Sequence, residues 1–81
     1  MKIHFFGRAG DRIARNVEID VPPDVASVGA LRIFLAGAFP EAADEITSPS
    51  LRACVGDTIV NEDHPIGDCP VIEFFPPLSG G

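Results

Sequence analysis

Pro22-Pro23 and Pro40 enclose the one long stretch of this chain whose apolar residues recur at helical spacing, and runs with strand periodicity lie on both sides of it. Proline has no amide hydrogen to give to a helix or a ladder, so these positions bound where the helix begins and ends. Ser27 offers a side-chain oxygen to cap a helix starting at Val28. Val28, Leu31, Leu35 and Ala38 mark one face of it, with Phe34 beside them, until Pro40 forbids continuation. A short second turn over Glu41 to Ile46 closes at "TSPS".

Before the helix, Ile3 to Gly7 is apolar and aromatic, and "NVEIDV" at 16–21 alternates Val17, Ile19 and Val21 with polar residues, the period of a half-buried strand. The two form a hairpin across the polar loop "RAGDRIAR". After the helix come "LRACV" (51–55), a Gly56-Asp57 turn, "TIV" (58–60), the polar loop "NEDHPIGD" and "VIEFF" (71–75). Strands flanking a single helix predict an α+β domain, a mixed sheet of about five strands with the helix on one face. In 81 residues the usual solution is the ubiquitin-like β-grasp, with first and last strands side by side and parallel at the centre. That strand order rests on analogy, because periodicity does not supply it. Residues 1–75 are expected to form this domain and residues 76–81 an extended tail.

A chain of this length buries only about 60–65% of its unfolded surface, so one core of modest stability is expected. Hydrophobic residues at 46% and charged residues at 22% describe a globular chain. The formal charge of −6 disfavours nucleic acid and anionic membrane surfaces and favours a basic protein partner. Cys54 and Cys69 are too few for a disulfide framework and lack metal-knuckle spacing, which predicts a reduced, cytoplasmic chain with no metal site. No apolar run reaches the roughly 18 residues of a membrane span, and the first residues are too briefly apolar for a signal peptide.

The chain closes on "FFPPLSGG". Pro76 and Pro77 favour an extended, polyproline-like course that carries the terminus outward. Gly80 and Gly81 have no side chains, so their backbone and carboxylate can enter a channel too narrow for other residues. Strand alternation adds a second clue. With Ile3, Phe5, Ile72, Phe74 and Val60 facing the core, Phe6, Phe75 and Ile59 face outward, and an apolar patch opposite the helix marks a partner surface.

These residues carry a resemblance. "FFPPLSGG", the "FF" of the first strand, "SVGALRIFL" and "TIVNEDHPIGD" together resemble the MoaD and ThiS family of ubiquitin-like sulfur carriers, especially its molybdopterin synthase branch, over essentially the whole chain. The resemblance implies that a MoeB-like E1 activating enzyme adenylates Gly81 using ATP and Mg²⁺ and that a persulfide donor converts it to a thiocarboxylate. It implies insertion of Pro76, Pro77, Leu78, Ser79, Gly80 and Gly81 into a MoaE-like large subunit, within a heterotetramer, to build the dithiolene of molybdopterin. Phe6, Ile59 and Phe75 then contact the partners, and the chain binds no cofactor of its own. Two departures stand out: "GDCPV" replaces the family's acidic turn before the last strand, and the first loop offers Gly10-Asp11 in place of an Arg-Glu pair. The alternatives are a carrier for thiazole or cysteine synthesis, or a ubiquitin-like interaction domain whose terminus does no chemistry.

The remaining candidates are weaker. Cys54 has no adjacent cation and reads as an inert thiol. His4 and His64 are single, with His64 in a turn before Pro65. Ile33 points away from the helix stripe as a stray exposed residue or a minor contact.

Overall fold

The structure, a computed structural model, describes residues 1–7, 10–11, 13–67 and 69–76. Among these, β1 (Lys2–Phe5) and β2 (Asn16–Glu18) precede helix α1 (Val28–Ala38). A 3₁₀ turn (Pro40–Ala42) and a short helix α2 (Ala43–Thr47) follow, then β3 (Arg52–Val55), β4 (Thr58–Val60) and β5 (Val71–Phe75). The strands form one sheet in the order β2-β1-β5-β3-β4. β1 and β5 are parallel at its centre, with Ile3 against Ile72 and Phe5 against Phe74, while the β1–β2, β3–β4 and β3–β5 pairs are antiparallel. This is the β-grasp expected from the order of elements.

Helix α1 begins where its cap dictates. Ser27 is extended and its hydroxyl accepts from the Ala30 amide at 3.2 Å. The two amides ahead of Ala30 are satisfied from outside the helix: Val28 N donates to His64 O at 3.0 Å and Gly29 N to Glu62 O at 2.9 Å. The loop after β4 therefore supplies acceptors that a helix N-terminus always lacks. It also buries Ile66, whose amide donates to Ala26 O at 3.1 Å, so a stretch that reads as a polar loop contributes to the core.

The core lies between α1 and one face of the sheet, where Ile3, Phe5, Ile72 and Phe74 meet Val28, Leu31 and Leu35, all fully buried. Ala38, the last residue of the helix, is exposed. Two strands are shorter than their periodicity predicts. β2 stops at Glu18 because β1 begins at Lys2, leaving the amino group of Met1 and the Met1 carbonyl to exchange hydrogen bonds with Ile19. β1 stops at Phe5 because Gly7 adopts φ +75°, a left-handed conformation that ends an extended run.

Sequence reasoning missed Arg32, a helix residue only 7% exposed. Its guanidinium donates to Ile46 O at 2.9 Å and to Leu51 O, lies 2.7 Å from Glu62 Oε1, and sits 5.2 Å from the centre of the Phe74 ring. The planar fork thus ties the carbonyls around α2 to the helix and stacks on the last strand. Its sequence signal was weak: a charge next to Leu31 sits at the edge of the apolar stripe, where solvent exposure is the default expectation.

Candidate functional site

The outer face of the sheet, opposite α1, is set by the alternation of β1, β5, β3 and β4. Each strand that buries one residue turns its neighbours outward. Phe6 is 47% exposed and Ile59 58% exposed, whereas Phe75 is half-buried. Phe6 lies just beyond β1, yet its amide still donates to Phe74 O at 2.9 Å, so the ladder holds it beside the end of β5.

Register places these three residues on one face but not in one apolar strip. Phe75 stands opposite Arg52, and Ile59 stands opposite Cys54, which in turn faces Glu73 across the next pair of strands. His4 flanks Glu73 on the other side, its Nδ1 3.7 Å from Glu73 Oε2. A row of His4, Glu73 and Cys54 therefore leads across the sheet to Ile59, beside the row that holds Phe6, Phe75 and Arg52.

β5 is the central strand and ends at Phe75, so the tail leaves from the middle of the sheet's edge beside Phe6. Pro76, the first tail residue, packs over Gly7: a Cβ built on that glycine would lie 2.8 Å from Pro76 Cγ. A shallow cleft lined by Phe6, Leu51, Pro76, Ser48, Ser50 and Asp44 opens next to this exit. Pro77, Leu78, Ser79, Gly80 and Gly81 lie outside the described residues.

With the face and the tail exit laid out, comparison with known proteins becomes informative. The ThiS family model matches residues 3–81, nearly the entire chain. The chain belongs to the ThiS family. A relative in Escherichia coli (strain K12), a molybdopterin synthase sulfur carrier subunit, is 32% identical over 81 residues, which are 100% of this chain and 99% of that protein. Among solved structures, SAMP1 from Haloferax volcanii superposes with a TM-score of 0.79 at 22% identity, covering 99% of this chain and 97% of that one, and shares the fold.

The other candidates take separate places in the fold. Cys54 is half-buried, with its sulfur 3.8 Å from Gly56 O. Burial pushes its thiol above the ordinary value, and the charges of Glu73 and Asp57 push it further the same way, so the nucleophilic thiolate is suppressed. Cys69 is half-buried and its amide closes a turn onto Ile66 O at 3.0 Å. His64 lies in the loop that caps α1, its amide donating to Asn61 O. Ile33 projects from α1 at 73% exposure. Among the described residues no group of three or more His, Cys, Asp or Glu is placed to hold a metal ion, and no helix is long and apolar enough to cross a membrane.

Proposed function

We propose that this chain is the sulfur-carrier subunit of a molybdopterin synthase and that Gly81 is its reacting residue. One observation supports the reading above the others: a central strand runs straight into the tail at Phe75-Pro76, on a face where Phe6, Phe75 and Ile59 are left partly or largely uncovered. The full-length likeness to the Escherichia coli carrier subunit supports that pathway.

A carboxylate resists attack by sulfur because its charge is delocalised and oxide is a poor leaving group. A MoeB-like enzyme with ATP and Mg²⁺ would therefore join the Gly81 carboxylate to AMP, releasing pyrophosphate. A persulfide sulfur then displaces AMP to form an acyl disulfide, and a second thiol cleaves its S–S bond, leaving the thiocarboxylate and a disulfide. Pro76, Pro77, Leu78, Ser79 and Gly80 carry this terminus into a MoaE-like large subunit, which supplies the acid, base and pterin-binding groups of a heterotetrameric enzyme. This chain binds no cofactor itself, and its free thiols Cys54 and Cys69 suit the reducing cytoplasm. The second reading is a carrier feeding thiazole or cysteine synthesis, favoured by the matching of the ThiS model itself.

Deletion of Gly81 tests the proposal. One residue shortens an extended tail by about 3.3 Å, and a misplacement of about 1 Å can cost roughly a hundredfold in rate. The truncated chain is expected to hold the large subunit in a pull-down at comparable affinity while single-turnover conversion of the pterin precursor is abolished. Intact-mass analysis of the full chain checks that the sulfur is on Gly81. Conversion by the truncated chain, or sulfur found on Cys54 or Cys69 instead, refutes the mechanism.

A further inference from the structure

Glu73 occupies the middle of the outer face, on the central strand, with His4 on one side and Cys54 on the other. Neither neighbour donates a hydrogen bond to it, although His4 lies within ion-pair range. The His4 contact of 3.7 Å is beyond hydrogen-bond distance, and the Cys54 sulfur is directed at Gly56 O. Among the described residues no hydrogen bond is found to the Glu73 carboxylate, whose side chain keeps 38% of its exposure.

Docking changes that environment. Phe75 lies two residues further along β5 with Phe6 beside it past the end of β1, and Ile59 lies in the same cross-strand row as Glu73, beyond Cys54, so a surface seated on all three borders Glu73 and strips part of its water. A carboxylate stripped of water is disfavoured unless it gains a hydrogen-bonded counter-charge, so a surface that brings a cation to Glu73 is favoured over one that does not. We propose that Glu73 is a partner-reading residue: the docking surface presents a Lys or Arg side chain over Glu73, beside the socket that takes Phe75. The formal charge of −6 draws such a basic surface in. Arg52, opposite Phe75, has the opposite sign, so the face carries charges of both signs. The inference rests on the docking-face reading above and adds the chemistry of the partner.

The experiment is calorimetric titration with the molybdopterin synthase large subunit from the same source, at low and high salt, using wild type, Glu73→Gln and Phe75→Ala. Glu73→Gln keeps the shape and removes the charge; it is expected to weaken binding by about 30-fold and to flatten the salt dependence of Kd. If Glu73→Gln binds as tightly as wild type or more tightly while Phe75→Ala binds weakly, the partner-reading role is overturned and the docking face stands. If neither substitution weakens binding, the docking face itself is wrong. Circular dichroism of Glu73→Gln and Glu73→Ala checks the fold, and collapse of both overturns the proposal by making Glu73 a structural group.

Discussion

Phe74 and Phe75 are the same residue type, adjacent in one strand, and the sheet assigns them opposite tasks. Phe74 is fully buried, stacks on Phe5 with ring centres 5.7 Å apart, and receives the Arg32 guanidinium on its ring. Phe75 is half-buried, faces away from α1 and stands opposite Arg52. The inner face is finished by the helix; the outer face still carries aromatic and aliphatic surface around a charged centre. Stability and recognition therefore sit on alternate residues of the same strands, which makes them separable by substitution.

The largest test of this division is Phe74→Ala. Removing a buried aromatic costs about 3–5 kcal/mol, a large share of the roughly 5–15 kcal/mol that stabilises a domain. It also takes the ring from beneath Arg32. The urea midpoint of this variant is expected to fall steeply, and a loss below about 1 kcal/mol would break the comparison by showing a core that tolerates the cavity.

Phe75→Ala is the matched, smaller effect. Binding to the large subunit is expected to weaken by about 2 kcal/mol, the scale of an aromatic anchor, while unfolding shifts by less than about 1 kcal/mol. Titration calorimetry and urea unfolding on the same preparation measure both. Wild-type affinity, or a destabilisation equal to that of Phe74→Ala, would erase the distinction between the faces.

Much of this arrangement is legible in the sequence because it depends on local rules. Ser27 and Pro40 bracket α1, Gly56 at φ +52° turns β3 into β4, and period-2 alternation assigns Ile72 and Phe74 inward. The illegible parts depend on where distant segments meet. Val17, Ile19 and Val21 alternate correctly, yet β2 ends at Glu18 because its partner strand runs out. Arg32 acquires its role from carbonyls 14 and 19 residues away, at Ile46 and Leu51, and no spacing rule reports such a match. The separation of Ile59 from the aromatics is of the same kind. Alternation gives the face on which a residue lies, but only the register shows that Arg52 and Cys54 of β3 stand between. The tail reading, from Pro77 to Gly81, rests on sequence and family alone.

The smallest effect bears on the polar centre of the outer face. Cys54 lies in register with Glu73, and burial, then Glu73, then Asp57, raise its thiol above the ordinary value of 9.0. Because alkylation proceeds through the thiolate, Cys54 in the folded chain is expected to react more slowly with iodoacetamide at pH 8 than in the urea-unfolded chain. A Cys69→Ser background isolates the signal in the mass spectrum. Glu73→Gln removes the neighbouring negative charge and leaves the burial in place, so it is expected to recover part of the lost rate, with the remainder returning only on unfolding. The same shift has a sign for stability. As pH rises, the unfolded thiol loses its proton before the folded one, so the contribution is present below the unfolded value and is lost as pH climbs through the higher folded value. A slight decline in urea midpoint above about pH 9, absent in Cys54→Ala, is the corresponding equilibrium signature. Equal alkylation rates in folded and unfolded chains would mean that the outer face leaves Cys54 as open as a peptide thiol, and the contrast between a closed inner face and a partly covered, charged outer face would then have to be redrawn around Phe75 alone.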